Sequence, residues 1–398
     1  MSQVAGTEYA EPKSVASQLG DDEFAALKRE VTEWVTGPGE EYAGRIEADG
    51  ALPSELFGEL RDRGYLSLAA PERLGGRGIP FPQYLELMEI FSRSHASIRM
   101  LVHVINGTWR AMDPYMTEEQ RAEFVVPSVT GRKLVAFTLT EATGGTGADI
   151  HTTVRREGDT YLLNGEKHLI TFGVKCDWWL LAARLEGSSG KHGIVALMVP
   201  NTGLPGAEVI DDSETMGVHG TDHAILRFHD TPVPVANRVG EEDQGLEVML
   251  GGFLLPSRVS VAMSCIGLAE RAQELAVQYA QRRETFGKKL AERQAVQFLL
   301  AENFADIRAA RALVLEAARA YENDDPEAGV LSSASKMVAV DMLTRVTDKA
   351  LQIHGGQGYW KRNPIERVYR DARAQRFEEG TNEIQKLVVS RAVLTGQV

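Results

Sequence analysis

The stretch RFEEGTNEIQ at residues 376–385 places an acidic residue, Glu379, directly before Gly380 and Thr381 at the start of an expected apolar helix. Glycine lets the backbone approach a ligand closely, and the first turn of a helix offers free N–H groups at its positive end. A carboxylate held there in a dry pocket could act as a general base. The same pattern also begins any ordinary capped helix, so the stretch takes its meaning from the rest of the chain.

The composition is that of an ordinary globular protein with two or three domains. The chain has 398 residues, of which 43% are hydrophobic, so it can bury a large core. Its net charge of −13 argues against nucleic acid or an anionic membrane surface as a partner. Cys176 and Cys265 are too few for a disulfide framework or a CxxC metal site. We expect a cytoplasmic protein without membrane insertion, because no signal core or long apolar run occurs.

Hydrophobic periodicity divides the chain into three blocks, which follow an expected flexible N-terminal tail at residues 1–20. Residues 21–133 carry apolar side chains at helical spacing and predict an α-helical domain. Residues 134–243 change to short β-rich runs separated by tight turns, which favours an antiparallel barrel or sandwich. Residues 244–398 return to long amphipathic helices and predict a helical bundle. One of these helices has an apolar stripe, formed by Val296, Leu300, Phe304, Ile307, Val314 and Tyr321. The predicted fold class is α+β, mainly α.

Four further segments combine glycine with residue types that suit a nucleotide cofactor. The run FTLTEATGGTG at 137–147 leads a strand into a Gly-rich loop that could bring N–H groups against a phosphate. The run NGEKHLITFG at 164–173 is a hairpin feeding a strand that ends at Thr171. The run RRETFGK at 282–288, followed by Gln294, offers a guanidinium beside a hydroxyl. The run QIHGGQG at 352–358 is a helix end closed by glycines. Taken singly, each segment is equally well an ordinary turn, hairpin or helix end.

Together, in this order and spacing, the five segments resemble the acyl-CoA dehydrogenase family over roughly residues 21–394. The resemblance implies an N-terminal α-helical domain, a middle antiparallel β-barrel domain and a C-terminal four-helix bundle. It implies FAD as cofactor, a homotetramer or homodimer, and a role in fatty acid metabolism with an electron-transfer flavoprotein as oxidant. The implied reaction converts an acyl-CoA or acyl-carrier-protein thioester to the trans-2-enoyl thioester. In that reaction Glu379 takes the α-proton and N5 of FAD takes the β-hydride.

The resemblance also assigns roles to individual residues. Glu379 matches the catalytic base. Some branches place the base at the position of Ser257, which cannot do that work. The substrate-binding residues implied are Arg258, Glu378 and His103. The residues implied to bind FAD, several of them from the neighbouring subunit, are Phe137, Leu139, Thr140, Thr146, Thr171, Arg283, Thr285, Phe286, Gln294, Gln352, Gly355, Gly356 and Thr381.

The chain departs from the family pattern at several positions. The usual Ser-Asp pair of the Gly-rich loop is Thr146-Gly147 here, and the usual tryptophan two residues before Thr171 is Leu169. An aspartate that some members carry two residues before Ser257 is Leu255. Glu378 is a second carboxylate beside the base, where an aromatic residue is common. The departures at Leu169 and Leu255 bear on the acyl group and its carrier more than on the flavin.

Unusual polarity also lies on segments that border the acyl pocket in relatives, at Arg93, Arg99, His103 and Glu378. It favours a polar, short or branched acyl group over a long straight chain. Two other functions remain open from sequence. One is a flavin-dependent monooxygenase on the same fold, against which Glu379 argues, and the other is a non-catalytic scaffold, against which the FAD-tail residues argue.

Overall fold

Residues 20–144 and 149–397 are described by the computed structural model, and they form helices, then a sheet, then long helices. The expected tail, apart from Gly20, and the loop residue Thr146 lie outside the described residues. The N-terminal helices are α1 (Asp21–Thr36), α2 (Pro38–Asp49), α3 (Leu56–Asp62), α4 (Phe81–Phe91), α5 (Ala96–Met112), α6 (Glu118–Gln120) and α7 (Val126–Val129), with a π-helical turn at Arg121–Val125.

Helix α5 carries Arg99 and His103 into the interior. Its first turn is capped by His95, whose Nδ1 accepts a hydrogen bond from the backbone N–H of Ser97 (3.1 Å). The other ring nitrogen of His95, Nε2, lies 3.1 Å from a carboxylate oxygen of Glu47 on α2. Since Nδ1 accepts, Nε2 carries the proton and donates to Glu47. The start of α5 is thereby fixed against α2.

The middle block is an eight-stranded sheet with the order β6-β7-β3-β2-β4-β5-β8, in which β1 also pairs with β4. Most neighbours are antiparallel, but β1 and β2 each pair with β4 in parallel. Turn spacing did not predict those two pairings, since they join strands that are distant in sequence. The strands are β1 (Val135–Thr138), β2 (Thr153–Glu157), β3 (Thr160–Thr171), β4 (Trp178–Leu185), β5 (Ile194–Pro200), β6 (Ala207–Asp211), β7 (His223–Pro234) and β8 (Arg238–Val239).

The C-terminal block is built on three long helices that pack together and are completed by two shorter ones. They are α8 (Leu255–Arg282), α9 (Gln294–Glu322), α10 (Ala328–His354), α11 (Pro364–Ala374) and α12 (Asn382–Thr395). A short hairpin of β9 (Glu284–Thr285) and β10 (Lys288–Lys289) joins α8 to α9. The mainly α, three-block fold predicted from sequence is confirmed.

The predicted apolar stripe of α9 does not lie wholly in the core. Ile307 and Val314 are buried, but Phe304 is 61% exposed and Phe298, one and a half turns earlier, is exposed as well. The periodicity correctly located the helix, but it did not predict which of its apolar side chains are buried within the same chain. Exposed aromatic side chains on one helix of a bundle are typical of a surface that another protein covers.

The continuous helix 247–282 is long and apolar enough to cross a membrane by length and composition. In the structure 67% of its most apolar stretch is buried inside the molecule, against α4 and α10. A buried central helix of this kind is consistent with a soluble protein.

Candidate active site

The site is centred on the loop between α11 and α12, where two consecutive residues adopt left-handed backbone conformations. Glu379 has φ of 53° and Gly380 has φ of 90°. Glycine adopts such angles freely, but a glutamate does so only at a cost of about 1–3 kcal/mol. The surroundings must therefore hold Glu379 in place. Thr381 follows as the N-cap of α12, and its hydroxyl accepts a hydrogen bond from the N–H of Ile384. The stretch therefore also begins an ordinary capped helix, as its sequence allowed.

Donors from three helices hold the two peptide carbonyls of this loop. Arg258 of α8 donates from Nε to the carbonyl of Glu379 (3.2 Å), and Lys336 of α10 donates from Nζ to that of Gly380 (2.5 Å). Gln385 of α12 donates to both carbonyls, at 3.2 and 3.1 Å. Lys336 is fully buried, and this burial lowers its pKa. Lys336 and Gln385 were not among the site residues predicted from sequence. The sequence signal that could have identified Lys336 is the presence of a lysine within the apolar face of α10.

The side chain of Glu379 is 15% exposed and is tied to α8 and α5. Ser257 donates from its hydroxyl to Oε1 of Glu379 (2.8 Å), and Nε2 of His103 lies 2.8 Å from the same hydroxyl. His103 itself is 3.7 Å from Oε1, beyond hydrogen-bond distance. The contact of Ser257 with Glu379 was not predicted from sequence, where Ser257 is only excluded as a base. No partner for Oε2 occurs among the described residues.

The neighbouring carboxylate, Glu378, does not place an uncompensated negative charge beside Glu379, because it is paired with Arg99. Nη1 and Nη2 of Arg99 donate to its two oxygens at 2.9 and 2.8 Å, and Arg99 is 1% exposed. Burial alone would raise the pKa of Glu378, but the charge and hydrogen bonds of Arg99 outweigh it and hold the pKa below its ordinary value. Bidentate pairing of this kind fixes both side chains.

The charges around the loop do not cancel. Arg99, Arg258 and Lys336 contribute three positive charges, while Glu378 and Glu379 contribute two negative ones. Arg258 forms no ion pair with a carboxylate in the part of the chain that the structure describes. The site therefore has an excess of positive charge next to the carboxylate, in a region that is largely buried.

Aromatic contacts connect this loop to strand β1. The ring of His103 lies 6.2 Å from that of Phe253, which lies 4.5 Å from that of Phe137. Phe253 belongs to the π-helical segment Glu247–Leu254 that leads into α8. It was missed by sequence reasoning, because a π-helix moves its side chains off the α-helical period.

The sheet residues assigned to the flavin ring lie at the ends of β1 and β3. The N–H of His168 donates to the carbonyl of Thr140 (2.9 Å), which joins the two strand ends. The hydroxyls of Thr140 and Thr171 are half-buried and have no hydrogen-bond partner within the described segments. Leu169 has φ of 56° at a register shift of β3 and is 65% exposed. Leu139 is buried. This combination of free hydroxyls and exposed apolar surface fits the polar edge and flat face of a flavin ring.

Apart from Thr381, which caps α12 two residues after Glu379, the residues assigned to the FAD tail lie far from Glu379 in the same chain. Helix α8 runs from Ser257 to the β9–β10 hairpin, about 40 Å at 1.5 Å per residue. Tyr279 and His354 stack with ring centroids 4.4 Å apart, so the ends of α8 and α10 meet at that remote end. Phe286 is 98% exposed there. The remaining tail residues at this end are half-buried or exposed, namely Arg283, Thr285, Gln294, Gln352, Gly355 and Gly356. One chain does not bring them together with the base.

Comparison with known proteins identifies the family. The chain matches the family models for the acyl-CoA dehydrogenase N-terminal domain at residues 21–132, middle domain at 136–231 and C-terminal domain at 243–394. The chain belongs to the acyl-CoA dehydrogenase family. It is an oxidoreductase of the kind that dehydrogenates acyl thioesters.

Individual relatives are similar over nearly their whole length. The short-chain specific acyl-CoA dehydrogenase of Megasphaera elsdenii is 36% identical over 355 residues, which are 87% of this chain and 91% of the relative. The caffeyl-CoA reductase-Etf complex subunit CarC of Acetobacterium woodii is 34% identical over 89% of this chain and 93% of its own. The solved structure of butyryl-CoA dehydrogenase from Megasphaera elsdenii matches with a TM-score of 0.86 and 33% identity, covering 95% and 99% of the two chains.

We predict that Glu378→Gln destabilises the protein, because it leaves the buried charge of Arg99 without its partner. Breaking such a pair costs about 3–5 kcal/mol. The folded pKa of Glu378 lies below its ordinary value of 4.5, so the pair stabilises the fold above that pH and the benefit is lost as pH falls through the folded pKa. The free energy of unfolding, measured with urea, should therefore differ more between wild type and variant at pH 7 than at acidic pH.

The control is Glu55→Gln, which breaks an ion pair with Arg45 whose two side chains are half exposed. It should change the unfolding midpoint little, because exposed ion pairs contribute little to stability. An equal effect of the two substitutions would contradict the assignment of a special buried pair at Arg99.

Proposed function

We propose that Glu379 is the general base that removes the α-proton of an acyl thioester. The observation that carries this proposal is the fixed carboxylate, with Oε1 bonded to Ser257 and Oε2 without a partner among the described residues. Oε2 can then accept the proton of a substrate whose α-carbon lies within reach. The pair of electrons left at the α-carbon forms the double bond as hydride leaves the β-carbon.

The backbone supports the charge that develops during this step. The N–H of Glu379 donates to no acceptor in the described ranges 20–144 and 149–397, so it is available to a thioester carbonyl. A preorganised donor to such an oxyanion typically contributes about 3–4 kcal/mol. The excess positive charge of Arg99, Arg258 and Lys336 over the two carboxylates would favour the same enolate-like oxygen.

Members of the family are flavoproteins that use FAD, and the residues at β1 and β3 fit a flavin ring. Bound FAD would supply the hydride acceptor, its N5 atom. The hydroxyls of Thr140 and Thr171 would donate to the polar edge of the ring, Phe137 and Leu139 would line its face, and Thr381 would contact the tail. We propose an electron-transfer flavoprotein as the oxidant, since one relative is named as a subunit of an Etf complex. A cytoplasmic location and a division at 21–133, 134–243 and 244–398 remain part of the proposal.

We predict that Glu379→Gln retains the fold and FAD but loses dehydrogenation by about 100- to 10,000-fold. Glutamine is nearly isosteric and keeps the backbone N–H, but it cannot accept the α-proton. The measurement is anaerobic bleaching of the flavin absorbance by an acyl-CoA, together with the FAD content of the purified variant. Full activity in this variant would remove the base from the proposal, and release of FMN instead of FAD from the wild type would contradict the cofactor.

A short, branched or polar acyl group is the substrate we propose. Arg99, His103 and Glu378 all lie beside Glu379, so the surroundings of the carboxylate are polar and a long apolar tail gains less by packing there than it would in an apolar pocket. Arg93 does not belong to this group, because it pairs with Glu270 and Glu274 on α8.

We therefore predict that short or branched acyl-CoAs reduce the flavin faster than long saturated ones in a chain-length panel. The comparison should use the initial rate of bleaching at saturating substrate, so that differences in binding do not dominate. A rate that rises steadily with chain length would contradict the proposed pocket.

We further propose a homodimer, or a homotetramer built from dimers, in which each chain contributes its FAD-tail residues to the neighbouring site. The separation of about 40 Å along α8 between Ser257 and Arg283 supports this assembly, and so does the exposed side chain of Phe286. A residue at that distance can serve only the cofactor of another chain.

Subunit complementation tests this arrangement. Glu379→Gln and Arg283→Glu homodimers should each be nearly inactive, the first through loss of the base and the second through weak FAD retention. Mixed dimers should regain activity at one of their two sites, which combines an intact Glu379 with an intact Arg283 from the neighbour. Mixed dimers that are verified by mass spectrometry and remain inactive would contradict a shared site.

A further inference from the structure

A chain of hydrogen bonds runs from α5 through α8 to the carboxylate of Glu379. Nε2 of His103 lies 2.8 Å from Oγ of Ser257, which lies 2.8 Å from Oε1 of Glu379. His103 and Ser257 are both buried, with exposed fractions of 3% each. Neither contact is needed to cap a helix or to pair a strand, since both residues lie inside continuous helices.

The direction of this chain follows from counting protons. Ser257 has one hydroxyl proton, which it donates to the carboxylate, so its oxygen can only accept from His103. Nε2 of His103 must then carry a proton. Nδ1 of the same ring is buried and has no hydrogen-bond partner among the described residues. A bare Nδ1 costs less there than an unpaired N–H, so the hydrogen-bond partners assign the neutral tautomer with the proton on Nε2.

His103 therefore donates to Ser257 and Ser257 donates to Oε1, and this has a consequence for the other oxygen. A hydroxyl that donates to a carboxylate forms a charge-assisted hydrogen bond, which is stronger than a neutral one. With Oε1 held by Ser257 and the backbone of Glu379 held by Arg258 and Gln385, rotation of the carboxylate is restricted. Oε2 is then presented in one direction.

We propose that His103 and Ser257 form a positioning pair, which orients the Glu379 carboxylate so that Oε2 rather than Oε1 receives the α-proton. This inference rests on the proposed role of Glu379. Neither residue accepts the proton itself. His103 acts through Ser257. Because the oxygen of Ser257 accepts a hydrogen bond from His103, the hydroxyl proton of Ser257 is directed toward Glu379. A misplacement of reacting atoms by about 1 Å can cost on the order of 100-fold in rate, so such a pair has a measurable effect.

The test begins with Ser257→Ala in the FAD-loaded enzyme. We expect kcat to fall about 10- to 100-fold, with KM changed less than about threefold, because orientation and not binding is lost. The kinetic isotope effect measured with an α-deuterated acyl-CoA should increase, since proton removal becomes more rate-limiting. Ser257→Thr restores the hydroxyl and should return kcat to within about threefold of wild type.

His103 is tested by two substitutions of different kinds. His103→Leu removes the donor and should resemble Ser257→Ala, whereas His103→Gln can place an amide N–H near the position of Nε2 and should recover much of the loss. In the double variant of His103→Leu with Ser257→Ala, the losses should not add, because the two residues act as one unit. The control is Ser264→Ala, which changes a buried serine two turns further along α8. Within the described part of the chain, the hydroxyl of Ser264 donates only to the carbonyl of Ser260 (2.9 Å). It should leave kcat unchanged.

The outcomes separate this inference from the proposed function. If Glu379→Gln is inactive while Ser257→Ala keeps wild-type kcat and isotope effect, the positioning pair is wrong and the base stands. If Glu379→Gln is fully active, both are wrong. A loss in Ser257→Ala that comes with reduced FAD content and a lower Tm, and that Ser257→Thr does not repair, would show a structural role and overturn the inference. Rescue by threonine with a raised isotope effect supports it.

Discussion

The left-handed backbone at Glu379 and Gly380 is the constraint on which the active site depends. Two successive peptide groups turned in this way direct their carbonyls into the bundle. These carbonyls belong to a loop and not to a helix, so they need hydrogen-bond donors from the surrounding helices. Arg258, Lys336 and Gln385 provide those donors from α8, α10 and α12. The strained loop is therefore not a local feature. It depends on the packing of the three helices, so the geometry of Glu379 depends on the C-terminal bundle as a whole.

The same arrangement explains how so many charges are tolerated in a buried region. Burying an unpaired charge is costly, and the site contains Arg99, Arg258, Lys336, Glu378 and Glu379 within one cluster. Arg99 and Glu378 neutralise one another, which leaves Glu379 with Lys336 and Arg258 against the loop carbonyls. The pair formed by Arg99 and Glu378 thus separates the second carboxylate from the base electrostatically. It also connects α5 to the loop by a second route, four residues from the contact that His103 makes.

Sequence patterns predicted the fold well and the site in part, and the difference has a physical origin. Helical periodicity and the change to short β runs are local signals, so the three blocks could be read directly. The Glu379 motif is also local. The contacts of its carboxylate are not, since 154 residues separate His103 from Ser257 and 122 separate Ser257 from Glu379. Ser257 was dismissed because it was judged alone as a base. The partner of Glu378 could not be foreseen either, because its pairing with Arg99 depends on how α5 crosses the bundle. The apolar stripe that includes Phe304 is partly exposed, because periodicity cannot distinguish the core of one chain from a surface that another chain covers.

The identity of residue 257 also bears on the proposal that Glu379 alone acts as the base. Some branches of the family place the catalytic carboxylate at this position, and here the hydroxyl of Ser257 lies 2.8 Å from Oε1 of Glu379. Two carboxylates at that distance could not both be ionised, since like charges so close would drive one of them to hold a proton. A chain that uses Glu379 must therefore have a neutral residue at 257, and a hydrogen-bond donor is the most favourable choice there because it stabilises the charge that the reaction needs. Serine at 257 meets this requirement beside Glu379, and the imidazole of His103 supplies the donor that the serine oxygen would otherwise lack.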